Sequence, residues 1–127
     1  MKRFILIAIL SAVLLCSAAG ELFSKKKKYV ATYYHNKFNG RKTATGERFS
    51  NKKFSVATSN KAFFKKTIVF RAVTTGKKLI LRCNDLMAPK MKNIVDFDLS
   101  VAAMQYFSDK QKYYPGKIEL FIENVTE

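Results

Sequence analysis

Short β-prone segments separated by turn residues fill the chain from Tyr29 onward, and no long stretch has the period of an amphipathic helix. Residues 67–74 and 78–84 flank Thr75-Gly76-Lys77, where glycine supplies the backbone freedom that a hairpin turn needs. Residues 117–124 alternate apolar and polar side chains, which is the pattern of a half-buried strand. The sequence therefore predicts a small domain built mainly from β-strands.

The remaining segments are sufficient to complete a barrel. Further strands are predicted at residues 29–34, 54–58 and 94–98, and Ser100 can cap a short helix over residues 101–107. Five or six short strands and one brief helix indicate a small closed β-barrel, because open sheet edges in an exported protein invite aggregation. The 11 Phe and 6 Tyr residues are enough to fill a small interior.

The first residues have the pattern of an export signal. A basic start is followed by an apolar run over residues 4–16 and then by the small residues 17–20. We therefore divide the chain into a signal peptide at 1–20, a basic linker at 21–28 and one domain at 29–127. Cys16 keeps an alternative open, in which the chain is a lipoprotein attached to the membrane through this cysteine. Either way, we expect a secreted, periplasmic or cell-envelope protein.

The charge of the chain indicates an anionic partner. There are 24 Lys+Arg and 9 Asp+Glu residues, a formal net charge of +15, and loss of residues 1–20 lowers it by two. Such a surface attracts polyanions, and export favours an anionic envelope surface over nucleic acid. With one histidine, and Cys83 alone after cleavage, the chain does not predict a metal site, a cofactor or an internal disulfide. We expect a monomer.

A polar loop and one strand end contain the carboxylates that are candidates for catalysis. The segment from Gly40 to Phe49 is a poor helix and a poor strand, and it contains Glu47. Asp85 follows the apolar run that ends the second strand of the hairpin. A loop and a strand end of this kind can bring two carboxylates into one groove, although both acids can also be ordinary surface charges.

The order of several motifs resembles the rare lipoprotein A (RlpA) family. The matching segments are Tyr33-Tyr34, Phe38-x-Gly40-Arg41-Lys42-Thr43-Ala44-Thr45-Gly46-Glu47, Val56-Ala57-Thr58, Thr67-Ile68-Val69, Arg82-Cys83-Asn84-Asp85 and Ile94-Val95-x-x-Asp98-Leu99-Ser100-x-Ala102-Ala103. Together they cover the predicted domain from Tyr29 to about Val125. The resemblance implies a six-stranded double-psi β-barrel, the fold shared with barwin and the N-terminal domains of expansins.

The resemblance also implies a function in the cell envelope. Some RlpA proteins are lytic transglycosylases that cut the β-1,4 bond after N-acetylmuramic acid in peptidoglycan and leave a 1,6-anhydro end. By this resemblance Asp85 is the expected catalytic acid/base and Glu47 the supporting carboxylate. The residues expected to contact the glycan are Tyr34, Arg41, Thr43 and Asn60.

Two departures from the family pattern keep other functions open. Asn60 stands where the family has histidine, and the family's N-D-R-G-P becomes Asn84-Asp85-Leu86-Met87-Ala88-Pro89, without the arginine. Asparagine cannot titrate near neutral pH as histidine does. The alternatives are a non-catalytic, expansin-like barrel that binds glycan and loosens the wall, and a secreted barrel that binds proteins as an inhibitor does.

Overall fold

The computed structural model describes residues 26–127, and it forms a closed barrel of six strands with one α-helix. The predicted signal peptide, its cleavage point and Cys16 lie outside the described residues. The strands are β1 (Tyr29–Tyr33), β2 (Val56–Thr58), β3 (Thr67–Ala72), β4 (Lys78–Leu86), β5 (Phe97–Leu99) and β6 (Ile118–Thr126). The mainly β fold with one short helix that the sequence predicts is therefore confirmed.

The barrel closes in the order β1-β5-β2-β4-β3-β6, with β6 returning to β1. Two neighbouring pairs, β1 with β5 and β2 with β4, run parallel, and the other pairs are antiparallel. Among the strands of residues 26–127, only β3 and β4, which form the predicted hairpin, are both neighbours in sequence and hydrogen-bonded to each other. The rest of the barrel depends on pairing between segments that are distant in the chain.

The helix α1 (Val101–Ser108) covers one part of the barrel and begins where the sequence predicts. The Ser100 hydroxyl accepts a hydrogen bond from the amide of Ala103, which satisfies a donor at the helix start that has no partner within the helix. At the other end Asp109 adopts a left-handed conformation with φ of 58°. Ala103, Met104 and Phe107 of α1 are buried. Within residues 26–127, no helix is long and apolar enough to cross a membrane.

The interior of the barrel is filled by alternate residues of the strands. On β3, Ile68 and Phe70 are fully buried, and on β5 the same holds for Phe97 and Leu99. The aromatic rings meet edge to face, with 4.9 Å between the ring centres of Phe70 and Phe97. Because side chains alternate along a strand, Asp98 must face away from this interior.

A second, smaller cluster lies outside the barrel wall. Ala57 on β2 is fully buried there under the rings of Tyr34 and Phe49, and Phe38 and Met87 pack against them. Val56, its neighbour on the same strand, points into the main interior instead. The cluster fixes the position of the loop between β1 and β2 on the outside of the barrel, next to the side chain of Asp98.

Candidate functional site

Asp85 reaches the outer face of the barrel because of a β-bulge in β4. Val56 pairs with Cys83, but the next residue, Ala57, pairs with Asp85, so Asn84 is an extra residue. Cys83 points into the interior, and without the bulge the alternation of the strand would turn Asp85 inward as well. The extra residue turns the Asp85 side chain to the face on which Asp98 lies.

Asp85 and Asp98 lie on the two strands that flank β2, at the same level of the barrel. Ala57 pairs with Asp85 on one side and with Asp98 on the other. Their backbones are therefore two strand spacings apart, about 10 Å. Both aspartates line one cleft of about 310 Å³. That volume is at the lower end of ligand-binding pockets, which span about 300–1,000 Å³.

Asp98 is a residue that the sequence reasoning missed as a functional group. Its Oδ1 accepts a hydrogen bond of 3.0 Å from the Thr32 hydroxyl. Burial raises its pKa to about 6, the negative charge of Asp85 adds to that rise, and the Thr32 hydrogen bond opposes it. A carboxyl group with such a pKa holds a proton for part of the time near neutral pH and can donate it. Two sequence signals could have identified Asp98, namely the position of an acid between the apolar residues Phe97 and Leu99 and its place in a segment that resembles the RlpA pattern.

Asp85 is held by three donors from three parts of the chain. Its Oδ2 accepts from the Tyr34 hydroxyl at 2.6 Å, and its Oδ1 accepts from the amides of Ala44 and Leu86, both at 2.9 Å. Both carboxyl oxygens therefore act as acceptors, the role of an ionised carboxylate. The Ala44 amide belongs to the 40–49 loop, so this loop does lie next to Asp85, as the sequence analysis expects.

Tyr34 holds Asp85 in place from within the outer cluster. The tyrosine is only 8% exposed, and the centre of its ring lies 4.1 Å from that of Phe49. Burial raises the pKa of its hydroxyl, and the hydrogen bond to Asp85 raises it further, so Tyr34 remains a neutral donor. Tyr34 also lines the cleft. The structure thus places it beside the acids, with its ring packed against its neighbours and little of it exposed.

Glu47 lies on the other side of the bulge from Asp85. It lines a separate cleft of about 390 Å³, in which Asn84 is also found. Its Oε2 accepts a hydrogen bond of 3.3 Å from the Asn84 side chain, and its Oε1 accepts one of 3.2 Å from the Thr45 hydroxyl. Asn84 therefore contacts Glu47 in one cleft, while the next residue of β4, Asp85, lines the other cleft. The sequence analysis expects both acids in a single groove.

The expected glycan-contacting residues have different surroundings. Arg41 is exposed, and its guanidinium carbon lies 5.4 Å from the centre of the Phe38 ring. Thr43 is 7% exposed, and its hydroxyl shares a hydrogen bond of 3.0 Å with the hydroxyl of Thr45 inside the loop. Thr43 is placed to shape the loop, whereas Arg41 lies at the surface.

Asn60 lies at the start of the 3₁₀ turn Lys61–Phe63, where its side-chain oxygen accepts a hydrogen bond from the Ala62 amide. It lines a cleft of about 560 Å³. This cleft adjoins the one that contains Asp85 and Asp98, because Leu86 and Met87 line both. Asn60, which the sequence analysis aligns with the family's histidine, therefore lies in a cleft that adjoins the cleft of Asp85 and Asp98.

Two other chemistries find no support among residues 26–127. Cys83 is buried, and burial raises the pKa of its thiol to about 12, which keeps it from acting as a nucleophile. No three His, Cys, Asp or Glu side chains of this part of the chain are grouped to hold a metal ion.

Comparison with known proteins identifies a relative that is named as a peptidoglycan transglycosylase. The chain is 32% identical over 85 residues to the endolytic peptidoglycan transglycosylase RlpA of Haemophilus influenzae. The similarity covers 67% of this chain and 29% of that protein, so the chain matches less than a third of its relative. No family model matches the chain. The sequence similarity and the closed six-stranded barrel together show that the domain belongs to the RlpA-like double-psi β-barrels.

Proposed function

We propose that this barrel acts on cell-wall glycan and cleaves peptidoglycan strands by transglycosylation, with Asp98 as the acid and Asp85 as the base. The proposal is carried by one observation, the presence of both aspartates in one cleft on either side of Ala57. Two carboxyl groups with different surroundings are the usual means of glycoside cleavage. Asp98 has the raised pKa of a proton donor, and Asp85 accepts three hydrogen bonds.

The reaction needs two proton transfers and no water. Asp98 gives its proton to the glycosidic oxygen as the bond from that oxygen to the sugar's C1 breaks, and positive charge develops at C1. The C6 hydroxyl of the same sugar attacks C1 and passes its proton to Asp85. The products are a 1,6-anhydro sugar and a shortened strand with a free hydroxyl, and the enzyme resets when the proton returns from Asp85 to Asp98.

Tyr34 and the loop amide of Ala44 have positioning roles in this scheme. Their hydrogen bonds to opposite oxygens restrict the rotation of the Asp85 carboxylate, so that it faces the cleft in one orientation. Holding a reacting group in its productive geometry lowers the entropy that must be lost in the transition state. Glu47 does not contact Asp85 in this scheme, and it stabilises the base of the loop through Asn84.

The comparison with RlpA gives the proposal its substrate. The H. influenzae protein is named for endolytic transglycosylation of peptidoglycan. The chain spans only 29% of that protein. The proposal that this barrel acts on the same substrate is therefore supported by the sequence match and the paired aspartates together, not by the match alone. The mature charge also suits a polyanionic wall, although that attraction is not specific for peptidoglycan.

A second candidate function is favoured by the cleft next to the acids. Asn60 lies there in place of a titratable histidine, and the loop after Asp85 lacks the family's arginine. A barrel that binds wall glycan without cutting it needs a groove but no proton donor. In that case both aspartates would serve as hydrogen-bond acceptors for sugar hydroxyls.

Purified residues 21–127 incubated with isolated cell-wall sacculi separate the two candidates. If the protein is a transglycosylase, the wild type releases soluble fragments, whereas Asp98→Asn and Asp85→Asn bind sacculi without releasing them. Asp109→Asn, at the exposed end of α1, is the matched control and should cleave like the wild type. Release of fragments by both Asp98→Asn and Asp85→Asn at the wild-type rate contradicts the catalytic assignment. Binding without release by the wild type supports the second candidate.

A further inference from the structure

The cleft that adjoins the two aspartates is basic, and it continues their groove. Leu86 and Met87 line both clefts, so these two side chains form the boundary at which the clefts meet. Beyond this junction the cleft is lined by Ser59, Asn60, Lys61, Pro89 and Lys92, with no acidic residue among them. The groove therefore has an acidic part and a basic part that are joined by apolar side chains.

The walls of the basic cleft are fixed by hydrogen bonds of the backbone and short side chains. The Ser59 hydroxyl donates to the Val95 carbonyl at 2.8 Å, and the Met87 amide donates to the Thr58 carbonyl at 2.9 Å. Lys61 begins the 3₁₀ turn Lys61–Phe63, and Lys92 directly follows the 3₁₀ turn Pro89–Met91. Lys61 and Lys92 are thus presented by two separate short turns whose neighbouring backbone is anchored.

Neither lysine side chain takes part in a salt bridge with another described residue. All four salt bridges among the described residues involve other cations, namely Lys66, Arg71, Lys77 and Lys78. Lys61 and Lys92 are both exposed. Two lysines that line one cleft without an acidic partner repel each other weakly and would be stabilised by an anion between them.

We propose that Lys61 and Lys92 bind an anionic substituent on the glycan strand, a carboxylate or a phosphodiester, while the sugar ring lies on Leu86 and Met87. This inference rests on the proposed function, because it assumes that a wall glycan enters the groove. The charge contrast along the groove would also orient the strand. An anionic substituent is attracted to the lysine end and repelled by the aspartate end, so a strand bound in the reverse direction is disfavoured.

Binding to sacculi by the paired variant Lys61→Gln/Lys92→Gln tests this assignment. The matched control is Lys52→Gln/Lys112→Gln, which removes the same charge from two exposed positions that line neither cleft. Because exposed ion pairs are individually weak, the cleft variant should bind sacculi about 3- to 30-fold more weakly, and the control within about twofold of the wild type. An uncharged chitin oligosaccharide should bind both variants equally.

Chemical treatment of the sacculi distinguishes the two sources of the anion. Hydrofluoric acid removes phosphodiester-linked polymers, and amidation neutralises carboxylates. If the first treatment removes the difference between wild type and cleft variant, the substituent is a phosphodiester, and if the second does, it is a carboxylate. A difference that survives both treatments overturns the anion assignment.

Release of soluble fragments is measured in parallel on the same samples. If the cleft variant binds as tightly as the wild type, or if the control pair loses as much affinity, the lysine assignment is overturned. Fragment release by the wild type would show that the proposed function is still correct in that case. If the wild type neither binds nor releases fragments, the proposed function fails together with the lysine assignment.

Discussion

Replacing Asp98 with asparagine should stabilise the protein at neutral pH and remove its cleavage activity. Burial and the nearby charge of Asp85 raise the Asp98 pKa from 3.8 to about 6. The ionised form is therefore disfavoured in the folded state relative to the unfolded chain. Asparagine keeps an oxygen that can accept from the Thr32 hydroxyl but cannot ionise, so this cost of charging disappears.

The expected gain in the free energy of unfolding follows from the size of the pKa shift of Asp98. About two pKa units correspond to about 3 kcal/mol at a pH well above 6, and solvent at the cleft mouth reduces this to about 2–3 kcal/mol. The stability of the wild type falls with rising pH because the pKa of Asp98 is higher in the folded protein than in the unfolded chain. The wild type has the full stability of the protonated form below about pH 4 and loses it as the pH rises through 6. The advantage of Asp98→Asn should therefore be small at pH 4 and largest above pH 7.

Urea unfolding of both proteins at pH 4, 6 and 8 measures this effect. Asp109→Asn is the control, because it makes the same chemical change at an exposed residue whose pKa is lowered by Lys77. That variant should show no stabilisation at high pH. Equal stability of wild type and Asp98→Asn at pH 8, or a loss on substitution, would refute the inference that burial disfavours the charged carboxyl. Activity should fall by about 10²–10⁴-fold, the usual contribution of general acid–base catalysis.

Three further results are expected from the same site. Asp85→Asn should reduce fragment release from sacculi by about 10²–10⁴-fold without loss of binding, and Glu47→Gln should reduce it less, because Glu47 lines a separate cleft; equal losses would contradict this ranking. Tyr34→Phe should lower the release rate by about tenfold and the unfolding free energy by about 1.5–3 kcal/mol, since it deletes a hydrogen bond to a carboxylate; unchanged values by both measurements would remove its positioning role. Binding to sacculi should weaken at about 1 M salt, where the Debye length is about 3 Å, and undiminished binding in a salt titration would show that charge is not the main attraction.

Much of the barrel was predictable because its signals are local. The Thr75-Gly76-Lys77 turn, the alternation of the last strand and the Ser100 cap each depend on a few adjacent residues. All three are present, although β4 extends two residues beyond the predicted strand and includes Asp85. The position of the 40–49 loop beside Asp85 was also expected, and the Ala44 amide makes the contact.

The acid pair was not predictable from the sequence, because it depends on pairing between distant segments. Asp98 and Asp85 become neighbours only because β5 and β4 both pair with Ala57. The bulge at Asn84 changes which side of β4 carries Asp85, and a single extra residue in a strand leaves no clear sequence signal. Strict alternation would have placed Asp85 in the interior. Asp98 was the last residue of the strand predicted at 94–98, whereas β5 spans Phe97–Leu99 and Asp98 is its central residue.

The composition of the fragment ends tests the central claim most directly. Sacculi are digested with the wild type in water enriched in heavy oxygen, and the released fragments are analysed by mass spectrometry. Attack by the sugar's own C6 hydroxyl predicts 1,6-anhydro ends that are lighter by one water and contain no heavy oxygen, and these ends should be absent with Asp98→Asn. Reducing ends that incorporate heavy oxygen would show hydrolysis, and anhydro ends formed equally by Asp98→Asn would contradict the role of the aspartate pair.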